Sequence, residues 1–204
     1  EKSLIVGTDK KGGLAVYDLK GNQLFFAPDG NMNNVDIRYD FKLGNDSVDI
    51  VCSSNRSNHS IAIYKIDSLG TLTNIAARTI VSDVIDEVYG FALYKSPLSQ
   101  KTFAYINSKA GEIEQWELFE TTDNRIDAKK VRSFNLETQV EGMVADDENQ
   151  TIFIGEEVKG IWKFNAEPTD NTRGEFLTNS SSENENIMYD IEGLSIYYLK
   201  DGEG

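Results

Sequence analysis

A single cysteine and a single histidine in 204 residues leave no internal disulfide and no usual zinc site, which needs several of those ligands. Cys52 lies in the apolar run 48–54, where a small buried side chain is expected. Basic residues are scarce too, 20 Lys and Arg against 34 Asp and Glu, for a net charge of −14. Nucleic-acid backbones and anionic membranes repel such a chain, so neither is expected as a partner. Oxygen-ligand cations such as calcium suit it better. No run of about 18 apolar residues occurs, and Glu1-Lys2-Ser3 is not a charged-then-apolar leader, so neither a membrane span nor a signal peptide is visible. The length suits one domain. A strand begins almost at once, at Leu4, and Asp201-Gly202-Glu203-Gly204 reads as a hairpin turn awaiting its second strand. The expectation is a single domain over 1–204, incomplete at both ends.

Helical periodicity is also lacking, and what replaces it is a repeat. Leu14-Ala15-Val16-Tyr17, Ile61-Ala62-Ile63-Tyr64, Ile113-Glu114-Gln115-Trp116 and Gly160-Ile161-Trp162 alternate with period two and recur at roughly fifty residues, the length of a four-stranded propeller blade. A second series, Val35-Asp36-Ile37, Val88-Tyr89-Gly90, Val140-Glu141-Gly142 and Ile191-Glu192-Gly193, keeps the same spacing and opens a strand each time. A third strand type falls at 4–8, 49–54, 102–107 and 151–155, and a fourth, outer one at 24–27, 75–81, 130–136 and 175–178. Turns rich in Asn, Asp, Gly and Ser, such as Gly44-Asn45-Asp46-Ser47, separate them. The sequence thus predicts an all-β chain, a β-propeller segment of three complete four-stranded blades plus parts of two others. The polar stretch 179–186 reads as a surface loop.

The repeat sets unlike functional residues at equivalent places. Asp36, Tyr89, Glu141 and Glu192 each stand one residue into a first strand, where innermost strands approach the axis. The turns after the second strands carry Lys10-Lys11, Arg56, Lys109 and Glu157, so pseudo-symmetry places them around one end of the channel. Taken singly, a lysine pair in a turn is ordinarily solvated, Glu156-Glu157 is an exposed charge cluster, and Tyr89 is core packing. Glu141 and Glu192 say more, because a carboxylate inside an apolar strand needs a partner or a metal. Cations beside carboxylates are stable when phosphate and metal bridge them. Glu141, Glu157, Asp190 and Glu192 could offer oxygens to calcium, while Lys and Arg hold phosphate.

At these residues the chain resembles the β-propeller phytases. The matching motifs are Lys10-Lys11-Gly12-Gly13-Leu14-Ala15-Val16-Tyr17, Asn33-Asn34-Val35-Asp36-Ile37-Arg38-Tyr39-Asp40-Phe41, Ser54-Asn55-Arg56-Ser57 and Asp86-Glu87-Val88-Tyr89-Gly90-Phe91. Glu112-Ile113-Glu114-Gln115-Trp116, Glu141-Gly142-Met143, Glu156-Glu157, Ile161-Trp162-Lys163-Phe164 and Asp190-Ile191-Glu192-Gly193 follow in order. The resemblance implies a six-bladed propeller holding Ca2+ in its channel, and a secreted, monomeric bacterial enzyme that takes phosphate from phytate, presented as its calcium complex. It assigns Lys10, Arg56, Tyr89 and Lys109 to phosphate binding at the cleavage site, with Lys11 reaching substrate. Glu141, Glu157, Asp190 and Glu192 fall to calcium and water activation, with direct attack of water on phosphorus. Where family members often show Lys-Glu-Gly-Glu, this chain has Lys109-Ala110-Gly111-Glu112, one carboxylate fewer. A calcium-dependent lactonase-like hydrolase and a non-catalytic binding propeller are the alternatives; the first needs no lysine and arginine cluster, the second no axial carboxylates.

Overall fold

The computed structural model describes residues 3–169, 171–180 and 186–199, and within them all regular structure is strand. β1 (Leu4–Asp9), β2 (Gly13–Asp18) and β3 (Gln23–Ala27) form one antiparallel sheet. β4 (Met32–Leu43), β5 (Asp46–Asn55), β6 (Ser60–Ile66), β7 (Leu72–Asn74) and β8 (Ile80–Val81) form the second. β9 (Val88–Lys95), β10 (Thr102–Ser108), β11 (Glu112–Glu120) and β12 (Ile126–Asn135) form the third. β13 (Val140–Asp146), β14 (Thr151–Glu156), β15 (Gly160–Asn165) and β16 (Glu175–Asn179) form the fourth. These are consecutive propeller blades, the last three complete.

Blades stack face to face, which explains the near-continuous apolar runs. Along β10, Ala104 and Ile106 join the core shared with the second blade, beside Ile50, Cys52 and Ile63. The alternate residues, Phe103 and Tyr105, join the core shared with the fourth, beside Ile152 and Ile154. Successive side chains leave a strand on opposite faces, and here both faces are covered. Burying each of these large side chains contributes about 1.5–3 kcal/mol. Cys52 is fully buried among them, as expected, and desolvation pushes its thiol far above its ordinary range.

Two expected elements differ. Of the outer strand foreseen at 75–81 only β8, its last two residues, forms, and β7 pairs with β6 just ahead of it. Asn74 Oδ1 accepts the Ala76 N–H at 3.1 Å, an Asx turn that lifts the chain off β6. The freed backbone is satisfied by the next blade, where Ala77 N–H donates to Ile126 O (2.8 Å) and Ile126 N–H to Ile75 O (2.8 Å). Residues 191–193, foreseen as a first strand, carry no ladder. The N–H groups of Asp190 and Ile191 both turn to the Glu157 carbonyl, at 2.9 and 3.5 Å.

Candidate active site

Each complete blade opens with the same irregularity. Met32, Val88 and Val140 pair with Asn55, Ser108 and Glu156, the last residues of their second strands, and the register then slips by one. Asn33 and Asn34 therefore oppose Ser54 alone, Tyr89 and Gly90 oppose Asn107, and Glu141 and Gly142 oppose Gly155. Such a two-against-one bulge re-aims a side chain, and it brings Asn33, Tyr89 and Glu141 to equivalent places. Asp36, which the sequence set in that series, lies three residues further along β4. There it binds the Arg38 guanidinium at 3.0 Å and accepts the Leu93 N–H at 2.8 Å. Arg38 also reaches Asp147 at 2.9 Å, so this network ties the inner strands of three blades together.

At the first two of these bulges the side chain opposite stitches one blade to the next. Ser54 Oγ accepts the Asn34 N–H (3.3 Å) and donates to the Tyr89 carbonyl (2.5 Å). Asn107 accepts the Gly90 N–H (2.7 Å) and donates to the Glu141 carbonyl (3.2 Å). In the third and fourth blades glycine follows the bulged residue, because the neighbouring backbone passes close by. A Cβ on Gly90 would lie 1.9 Å from the Glu141 carbonyl oxygen, and one on Gly142 would lie 2.5 Å from that of Glu192.

The turns after β1, β5 and β10 deliver Lys10, Arg56 and Lys109 to the Tyr89 ring, at 5.6, 5.8 and 4.9 Å from its centroid. Lys10 Nζ stands 3.6 Å from Glu141 Oε1. Arg56 Nη2 and Lys109 Nζ each lie 2.7 Å from Glu87 Oε2, a carboxylate that the repeat did not single out. Asn33, also missed, donates to Glu141 Oε1 at 2.7 Å. Lys11 is exposed beside Lys10; its backbone N–H is bonded to Asp9.

The turn after β14 brings Glu157, buried, with Gln139 Nε2 on its Oε1 at 2.7 Å. Asp190 and Glu192 are exposed on the segment beyond it. Burial, together with the charges of Asp190 and Glu141, lifts the Glu157 carboxyl above its ordinary value despite the Gln139 bond. Burial, then the charges of Glu141, Glu157 and Glu192, push the Tyr89 phenol up to about 12. Arg56 and Lys109 outweigh partial burial and hold Glu87 down at about 2. Among the described residues no three of His, Cys, Asp and Glu cluster tightly enough to hold a metal ion. Glu141 Oε2 and Asn33 Oδ1 are nevertheless buried oxygens with no donor. The arrangement can hold an oxyanion on three cations, beside the buried carboxylates of Glu141, which faces Lys10, and Glu157.

Comparison with known proteins shows the fold and the family. The solved structure titled "Complex of KlAtg21 with coiled-coil of AgAtg16" is similar in fold over 81% of this chain and 50% of its own, with a TM-score of 0.51 and 18% identity. A curated 3-phytase of Bacillus subtilis (strain 168) is 44% identical over 208 residues, and the chain spans about half of it, 54%. A family model described as phytase matches residues 1–204, and the chain belongs to the phytase family.

Proposed function

We propose that the chain carries part of the cleavage site of a calcium-dependent phosphomonoester hydrolase that releases inorganic phosphate from phytate. One observation carries this reading: Lys10, Arg56 and Lys109, from three successive blades, converge on Tyr89 beside the buried Glu141. Three cations in a half-buried site suit a multiply charged phosphoryl group, with Arg56 offering directed N–H donors and the lysines compact charge. Tyr89, protonated at neutral pH, donates rather than repels.

Glu141, Glu157, Asp190 and Glu192 would hold calcium. The donor-less Glu141 Oε2 and the upward shift of Glu157 fit a hard cation in that region, and every donor offered is oxygen. Bound calcium supplies charge neutralisation and a lowered pKa for nearby water. The chain's own residues do the rest. Lys10, Arg56 and Lys109 orient the phosphoryl group and stabilise the charge that grows on its oxygens. In this reading Glu157, alongside its part in holding calcium, would accept the proton of the attacking water. A bond forms from water oxygen to phosphorus, the inositol ester bond breaks, and the leaving alkoxide takes a proton from solvent. The reading extends to a secreted, monomeric enzyme; no helix of the described residues is long and apolar enough to cross a membrane.

The test is phosphate release from calcium phytate by the full-length protein, with and without a chelator. Release abolished by chelation and lowered about 10- to 100-fold in kcat/KM by Arg56→Gln is expected, the loss of a hydrogen bond between charged groups. No release from folded, calcium-loaded protein overturns the reading.

A further inference from the structure

We propose that Glu87 is an internal anion of this site, which occupies Arg56 and Lys109 between turnovers and competes with product phosphate for them. The inference rests on the phosphate-binding reading of those two cations. Glu87 comes from the segment just before β9, its N–H on Asp86 Oδ1 at 2.8 Å and its carbonyl receiving the Lys109 N–H at 3.2 Å. Asp86 holds a left-handed φ of 68°, so the backbone fixes where the carboxylate starts. A single oxygen, Oε2, then takes both cations at 2.7 Å.

An ordinary structural ion pair would use the guanidinium more fully. Arg56 spends Nη2 on Glu87, while its buried Nε–H has no partner. A phosphate can take both donors with two oxygens and still offer a third to Lys109, so it displaces Glu87 by making more charge-assisted bonds. The three side chains are 22 to 32% exposed, which leaves room for the exchange. Once the phosphate is free, Glu87 returns, and the two cations are never left facing each other unneutralised. Glu87 touches binding groups rather than the reacting atoms, so it is a positioning residue.

The experiment measures the Ki of inorganic phosphate as product inhibitor of the full-length, calcium-loaded protein, alongside kcat and KM for phytate. Glu87→Gln keeps an acceptor and removes the charge. Its Ki is expected to fall about tenfold, the weight of one charge-assisted hydrogen bond, and its kcat to fall as release slows. Glu87→Asp keeps the charge but cannot span both cations, and its Ki falls by a smaller factor, about threefold. The shorter acid keeps the test open should the amide fail to fold. Unchanged or weaker phosphate inhibition in these variants, with wild-type hydrolysis intact, overturns the role of Glu87 alone. A wild-type protein that neither hydrolyses phytate nor binds phosphate overturns the underlying reading as well.

Discussion

Replacing Glu87 by glutamine should change stability in a pH-dependent way. Arg56 and Lys109 hold its carboxyl near 2, below the ordinary 4.5, so the folded state favours the ionised form. That contribution is complete above about pH 4.5 and is lost as pH falls towards 2. The stability gap between wild type and Glu87→Gln is therefore expected to be widest at neutral pH and to close in acid, read from urea unfolding at pH 7 and pH 3. A gap that widens in acid contradicts the ion-pair geometry. Lys10, Arg56, Lys109 and Glu157 were legible in the sequence because each occupies the turn that ends a second strand. Asn33 and Glu87 were not. Asn33 is equivalent to Tyr89 only through the bulge register, whereas the resemblance of Val35-Asp36-Ile37 to Val88-Tyr89-Gly90 points three residues further on. Glu87 precedes its strand and so lies outside any alternating pattern.

Between elements, the bulges hold the blades together by a few directed bonds. Asn107→Ala strips partners from the Gly90 N–H and the Glu141 carbonyl, both buried, and is expected to cost about 2–4 kcal/mol in unfolding free energy. Gly90→Ala sets a methyl against the Glu141 carbonyl at 1.9 Å, and a loss of more than about 4 kcal/mol is expected, since backbone rather than a flexible side chain must move. Urea midpoints of the full-length variants check both. The strands were readable because burial on both faces leaves apolar runs between polar turns. The break within 75–81 was not, since that span reads as one continuous strand until the Asn74 side chain is seen bonding the Ala76 N–H.

At the scale of the whole molecule, apolar side chains stand uncovered on and beside the first sheet and on the last sheet and the segment that follows it. Ile5, Leu19 and Leu24 are 50, 65 and 46% exposed at one end, and Leu177, Tyr197 and Leu199 are 44, 81 and 57% exposed at the other. Patches of this kind drive association. The 204-residue chain is expected to bind a hydrophobic dye and to self-associate in sedimentation. A monomeric, dye-silent chain would show that these faces are covered in some other way.

The shared bulge has a consequence for how such a protein can change over generations. An amide, a phenol and an acid occupy one structural address in three neighbouring blades, and the stitching around them runs through main-chain groups and the residue opposite. A single codon therefore decides what each blade contributes to the pore, while the framework that presents it is inherited unaltered. New ligand preferences can arise there by point substitution, without any blade having to be repacked.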